Sequence, residues 1–303
     1  MKIKKLADGL WPVMLTPFKE NGAIDYSALL ELVDFYLEKG ASGLFANCLS
    51  SEMYHLTEAE RHELLTTIVN HVKGVVPIVA TGNFGTSMDE QIESIIKIND
   101  LGVNAVVIVN SLLVSSPEEE SAMVDKFYAI LDGTSNIPLG IYECPEPFKI
   151  LMPPDLLSEL AKTGRFLYFK DTSCDTNQMI TKIKSIQGSS LNLYNANTPT
   201  VLESLYAGAS GVSPISANFY PELYVKIYQL YKSGENRENL QELQEKLTLM
   251  DAVTRINYPM GAKVFLGMRG LKIKPKTRIK ANKLNYEEQL MLKTLFTYLE
   301  KIS

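Results

Sequence analysis

Short apolar runs alternate along the chain with longer amphipathic segments, at a spacing of about thirty residues. The runs occupy 11–15, 43–47, 76–80, 105–109, 138–142, 166–170, 191–194 and, with weaker patterning, 211–215. Apolar runs this short, each followed by a capped amphipathic stretch, predict βα units and a parallel sheet. Eight of them suit a closed (β/α)8 barrel, an α/β fold, although periodicity alone leaves an open doubly wound sheet as an alternative.

Helix starts are legible in several places. Thr57-Glu58-Ala59-Glu60 reads as a capping box, Ser116-Pro117-Glu118-Glu119 puts proline at a first helical position, and Thr198-Pro199 repeats that start before 201–206. Beyond the eighth run, 220–232, 239–256 and 286–301 read as helices with no strand between them, and Ser233-Gly234-Glu235-Asn236 reads as a turn. The expected organisation is a barrel over 1–218 with a helical C-terminal extension over 219–303 packed on it as one structural unit.

Composition narrows the function. With 303 residues and 46% hydrophobic content the chain can bury a large core. A net charge of -5, with both signs scattered, gives no footprint for nucleic acid or anionic lipid. The basic start has no apolar stretch behind it, so a cytoplasmic protein with no membrane partner is expected. Cys48, Cys144 and Cys174 are odd in number and far apart, which suits reduced, buried thiols.

Other chemistries find little support. On a helix over 57–72, His62 and His71 are nine residues apart, about 900° of rotation, so they face opposite ways and with His55 make a poor metal set. Gly82-Asn83-Phe84-Gly85-Thr86 lacks both the three-glycine fingerprint and the P-loop lysine, and no Gly-x-Ser-x-Gly elbow occurs. No metal and no cofactor is expected.

Barrel chemistry sits at the C-terminal ends of strands, and two runs end in reactive residues. Phe166-Leu167-Tyr168-Phe169-Lys170-Asp171 drives a strand into a lysine; Pro138-Leu139-Gly140-Ile141-Tyr142-Glu143 drives another into a tyrosine. An ammonium that loses hydration in a barrel mouth titrates below its usual range, leaving free amine to attack a ketone. Spacing alone leaves a second reading open, a lysine that snorkels to the rim beside a core tyrosine.

The ordered set of motifs decides between them. Leu15-Thr16-Pro17-Phe18, Cys48-Leu49-Ser50-Ser51-Glu52 with Leu56-Thr57, Tyr142-Glu143-Cys144-Pro145, Phe169-Lys170-Asp171, Gly211-Val212 with Ala217-Asn218, and Asn257-Tyr258-Pro259 with Lys263 run through nearly the whole chain. In that order they resemble the dihydrodipicolinate synthase and N-acetylneuraminate lyase family of pyruvate-dependent class I aldolases. The resemblance implies a homotetrameric barrel in which Lys170 forms an imine with a 2-oxo acid and Tyr142 shuttles protons. It also implies that the loop after the second strand holds the substrate carboxylate, with Ser50, Ser51, Leu49 and Ser213 as binding residues.

The same resemblance marks departures. The family loop mostly reads Gly-Thr-Thr-Gly-Glu, so Cys48 and Ser51 replace glycines, Leu49 and Ser50 replace threonines, and only Glu52 is kept. No tyrosine lies near Leu112-Leu113-Val114, where the synthase carries its cross-subunit relay tyrosine, and Pro147 stands where it carries an arginine. Lys149 is the nearest replacement cation. The expected function is therefore a Schiff-base lyase joining or splitting pyruvate, or another 2-oxo acid, and an aldehyde unlike that of the synthase. Two alternatives stand beside it: a dehydratase or deaminase of a sugar acid or hydroxyproline derivative using the same imine, and a non-catalytic barrel that binds 2-oxo acids.

Overall fold

The structure, a computed structural model, describes residues 5–116, 122–279 and 283–302. The proline-initiated helix start expected at 116–119 lies, from Pro117 on, outside them. The strands are β1 (Gly9–Leu10), β2 (Leu44–Asn47), β3 (Ile78–Thr81), β4 (Ala105–Val109), β5 (Leu139–Tyr142), β6 (Phe166–Asp171), β7 (Asn192–Asn195) and β8 (Gly211–Val212). Between them lie α1 (Tyr26–Glu38), α2 (Glu58–Val72), α3 (Met88–Asp100), α4 (Met123–Gly133), α5 (Pro154–Lys162), α6 (Thr176–Ser185) and α7 (Val201–Ala207). After β8 follow α8 (Pro221–Ser233), α9 (Arg237–Thr254), α10 (Met260–Met268) and α11 (Tyr286–Ile302). All eight strands belong to one sheet, and each is followed by a helix, which is the (β/α)8 topology.

Two expectations are corrected. The first run forms β1 at Gly9–Leu10 instead of 11–15, and Val13 contributes only an isolated parallel bridge to Phe45. Pro12 accounts for this, because it has no N–H to give a continuing ladder and its own carbonyl is taken by Phe45 N–H. The eighth strand stops at Val212, since Pro214 leads into a 3-10 turn at Ile215–Asn218. Helix α10 was not read from the pattern; it is short and follows the Asn257-Tyr258-Pro259 break.

The chain separates into two compact units. The first comprises Met1–Asp8 with Pro77–Val212 and carries β3 to β8 side by side, parallel in chain order. Its strands are buried on both faces, as parallel strands between core and helices must be. Arg165, just before β6, donates to the carbonyls of Leu131 (2.8 Å) and Ile137 (2.9 Å) and so fastens that strand to the end of α4. At the opposite end the Asn83 amide pairs with the Val109 backbone in both directions, at 2.9 and 3.1 Å, extending the β3 to β4 ladder with a side chain.

The second unit comprises Gly9–Val76 with Ser213–Ser303. The capping box expected at Thr57 starts α2: its hydroxyl accepts from Glu60 N–H (3.2 Å) and Glu60 returns the bond at 2.9 Å. Leu29, Leu32 and Val33 of α1, Leu64, Leu65 and Ile68 of α2, and Phe265 of α10 are fully buried, each contributing roughly 1.5–3 kcal/mol. Among the described residues no helix is long and apolar enough to cross a membrane.

Candidate active site

Strand register brings Lys170 and Tyr142 together. Tyr142 is the last residue of β5, Lys170 the penultimate residue of β6, and they pair directly, with the Lys170 amine 4.7 Å from the centre of the tyrosine ring. On its other side Lys170 is in register with Tyr194 of β7. Both residues of the pair are buried, at 3% and 4% exposure, so the lysine does not snorkel to the rim.

The layer below explains how they fit. Alternation puts Gly140 beneath Tyr142 and Tyr168 beneath Lys170. A side chain on Gly140 would come within 3.1 Å of the Tyr168 Cβ and carbonyl, so glycine is what lets the large ring enter this layer. Tyr168 then stacks on Tyr194, the register partner of Lys170, with ring centres 4.7 Å apart.

Alternation turns the following residues, Glu143 and Asp171, to the opposite face, where Lys182 of α6 meets both, at 2.5 and 2.8 Å. Burial first, and the adjacent Asp171 carboxylate second, raise the Glu143 pKa to about 7 against the opposing pull of Lys182. Pattern reading passed over Lys182, although the signal was there: it occupies a position on the stripe formed by Met179, Ile183 and Ile186, where an apolar residue belongs.

The loop after β2 belongs to the second unit. Leu49–Ser51 makes one 3-10 turn, and the left-handed conformation it requires falls on Glu52, at φ 60°. Cys48 sits at φ -146°, and Ser51 is not among the residues of positive φ, so neither replaced glycine is needed for its backbone freedom. The Ser51 hydroxyl donates to the carbonyls of Met14 (2.7 Å) and Ala46 (3.2 Å) and accepts from Cys48 N–H (3.1 Å). Thr16 holds the Ser51 carbonyl at 2.7 Å. Ser213, just past β8, donates to the Trp11 carbonyl at 2.8 Å. Since a hydroxyl carries one proton, Ser51 and Ser213 spend theirs on backbone.

Ser50 is arranged differently. Its oxygen accepts the Tyr258 hydroxyl at 2.7 Å, and Tyr258 in turn accepts from the Asn218 amide at 2.8 Å. Asn218 is held by the Tyr36 hydroxyl and the Val13 carbonyl. Burial foremost raises the Tyr258 pKa above the phenol range, so it stays a donor. Leu49 is half-buried beside this chain in sequence. Glu52 anchors the loop from below, through an ion pair to the buried Lys263 (2.7 Å) and by accepting the N–H groups of Arg278 (2.5 Å) and Ile279 (3.2 Å). Burial lowers the pKa of Lys263, and Glu52 opposes this. Arg278 and Tyr36 lie outside every motif read from the sequence, and no local pattern marks them.

Other candidates are placed elsewhere. Lys149 donates to the Thr172 carbonyl at 2.7 Å, and Pro147 is exposed. His71 bonds Asp34 at 2.6 Å and His62 lies near Glu58 at 3.9 Å. Cys48 and Cys144 are buried, but Cys174 is exposed at φ 56°, against the expectation of three buried thiols; it lies in the loop leaving β6, where no apolar layer covers it.

Residues 6–298 match the model of the dihydrodipicolinate synthetase family. A 4-hydroxy-tetrahydrodipicolinate synthase of Staphylococcus carnosus is 25% identical over 294 residues, covering 97% of this chain and 93% of the relative. A solved prophage protein of the dihydrodipicolinic acid synthase family from E. coli K12, in complex with pyruvate, superposes with TM-score 0.86 at 21% identity, covering 97% of this chain and 98% of that one. A monomeric dihydrodipicolinate synthase variant superposes with TM-score 0.87 at 22% identity, with 97% of each chain covered. The chain is a (β/α)8 barrel protein that belongs to the dihydrodipicolinate synthetase family, a family of aldolase-type lyases.

Proposed function

We propose that the protein is a class I lyase that activates pyruvate, or a closely related 2-oxo acid, as an imine on Lys170. The observation that carries this reading is the register pairing of Tyr142 with Lys170, which sets a phenol beside a buried amine. The amine adds to the ketone carbon, and the carbinolamine loses water to give the iminium ion. Loss of a proton from the adjacent carbon gives an enamine that attacks an aldehyde; the reverse sequence cleaves the product. Tyr142 is assigned the proton transfers at the carbinolamine and aldol oxygens. The Ser50 hydroxyl, aligned by Tyr258, is assigned to the substrate carboxylate, while Ser51, Ser213 and Glu52 shape the backbone around it.

The aldehyde partner is proposed to differ from that of the synthases. Pro147 offers no charge where the synthase has its arginine, and Lys149 is engaged with a backbone carbonyl. Leu49, Leu112 and Val114 favour a less polar partner. A homotetrameric, cytoplasmic enzyme is the accompanying expectation from the family, and sedimentation measures the first half of it.

The decisive experiment is borohydride reduction in the presence of pyruvate, followed by peptide mass analysis. A reduced adduct on the peptide carrying Lys170, lost in Lys170→Ala, is the expected result. No adduct, with Lys170→Ala retaining lyase activity, overturns the assignment. A panel of carboxylated and apolar aldehydes then sorts the partner, and preference for the carboxylated ones removes the divergence from the synthases.

A further inference from the structure

Glu143 and Asp171 do more than follow the reactive pair in sequence. Glu143 Oε2 accepts Thr172 N–H at 2.9 Å and Oε1 accepts Met152 N–H at 2.7 Å. The Glu143 carbonyl accepts the Thr172 hydroxyl at 2.5 Å, and its own N–H donates to the Lys170 carbonyl at 3.3 Å. Asp171 accepts Ser173 N–H (3.1 Å) and hydroxyl (2.7 Å). One carboxylate thus fastens the segment leaving β5 to the segment leaving β6, directly beyond Tyr142 and Lys170.

Such an arrangement is costly. Two carboxylates and one ammonium, each 1% exposed or less, have been taken out of water, and the desolvation of such a buried ion triad offsets much of its attraction. Stability alone therefore does not explain Lys182. What an apolar trio could not do is accept the N–H groups of Thr172 and Met152 and hold the two strand ends in one register.

We infer that Lys182 is a positioning residue for the reaction assigned to Lys170: by binding Glu143 and Asp171 together it keeps the ends of β5 and β6, and hence the Tyr142 ring and the Lys170 amine, in working geometry. The inference rests on the imine reading above. Without the cation the adjacent carboxylates repel, one takes up a proton, and an acceptor that held a strand end is lost. The charged groups around Glu143 are Asp171 from β6 and Lys182 from α6, with Lys149 on the Thr172 carbonyl and Lys170 beyond.

The test is the rate of borohydride-trappable adduct formation with pyruvate, measured across pH for the parent, Lys182→Met, Lys182→Arg and Glu143→Gln. A displacement of about 1 Å at the reacting pair costs on the order of 100-fold. Lys182→Met is expected to lose about that much in rate at saturating pyruvate, with the half-saturating concentration unchanged, and Lys182→Arg to recover most of it. Protonation of the Lys170 amine lowers the parent's rate as pH falls, and protonation of Glu143, whose pKa burial raises to about 7, is expected to steepen that loss; Glu143→Gln removes only the Glu143 contribution. Glu143→Gln decides the matter if Lys182→Met does not fold. A folded Lys182→Met with the parent's rate and pH profile, or a Glu143→Gln whose rate and pH profile match the parent's throughout, overturns the positioning role. If the parent itself gives no adduct, the imine reading fails and this role falls with it, which separates the two failures.

Discussion

Tyr258 donates its hydroxyl proton to Ser50 across 2.7 Å, although 208 positions separate the two residues. The bond has a direction imposed from upstream, because the Asn218 amide donates to the same phenol oxygen. Ser50 is thereby the acceptor at the end of this chain, and successive bonds in one direction polarise each other; the function proposed above directs the Ser50 proton to the substrate carboxylate.

Removing that phenol while keeping the ring isolates its contribution. Tyr258→Phe is expected to cost about 1 kcal/mol in denaturant unfolding, since Asn218 keeps its bond to the Val13 carbonyl. With Ser50 no longer aligned, half-saturating pyruvate in the trapping assay should rise by roughly tenfold, equivalent to about 1.4 kcal/mol. An unchanged half-saturation would remove Ser50 and Tyr258 from the carboxylate site.

Tyr142→Phe separates binding from proton transfer. The ring remains beside Lys170, so the packing is conserved, and the hydroxyl proposed to relay protons is removed. Adduct formation and aldol turnover are expected to slow by about 100-fold to 10,000-fold, with pyruvate half-saturation little altered. Retention of full turnover would sink the shuttle role.

How much of this could be read in advance differs between the two halves of the chemistry. Lys170 and Tyr142 end apolar runs, which placed them at strand ends, while the ordered motifs chose a reactive lysine over one that snorkels; their direct pairing is a matter of register between adjacent parallel strands. The Ser50 loop was located by motif, but which of its serines has a proton to spare was not, because that depends on Met14, Ala46 and Tyr258. Arg278 was invisible for the same reason: its partners at Glu60, His55 and Gly22 lie more than two hundred positions away. The first strand was misplaced because Trp11, Val13 and Leu15 are apolar for packing while Pro12 interrupts the ladder.

The single tryptophan offers a packing test. Gly43, immediately before β2, lies against the Trp11 indole, and an added Cβ would fall 2.5 Å from that ring. Trp11 is wholly buried, so the ring can move aside only by displacing core neighbours. Gly43→Ala is expected to destabilise the protein by about 1–3 kcal/mol and to shift tryptophan emission to longer wavelength as the ring is displaced. Unchanged emission with parent stability would show that the contact relaxes freely.

Acid stability should depend on Arg278. Its guanidinium hydrogen-bonds both Glu60 oxygens, at 2.5 and 2.7 Å, and this first of all lowers the Glu60 pKa from 4.5 to about 2. A carboxylate depressed in the folded state contributes stability that is present above its unfolded pKa and is lost as pH falls towards the folded one. The window is therefore between about 4.5 and about 2. Both side chains retain some contact with solvent, so screening reduces the effect below what the shift alone implies. Arg278→Ala removes the bond to Glu60 and those to the His55 and Gly22 carbonyls, so it is expected to destabilise at neutral pH and to flatten the loss of stability across that window. Urea midpoints of the parent and the variant, measured on both sides of pH 4.5, check this. A variant whose midpoint falls with acid as steeply as the parent's would show that Glu60 is depressed by its helix-capping bonds to Thr57 instead.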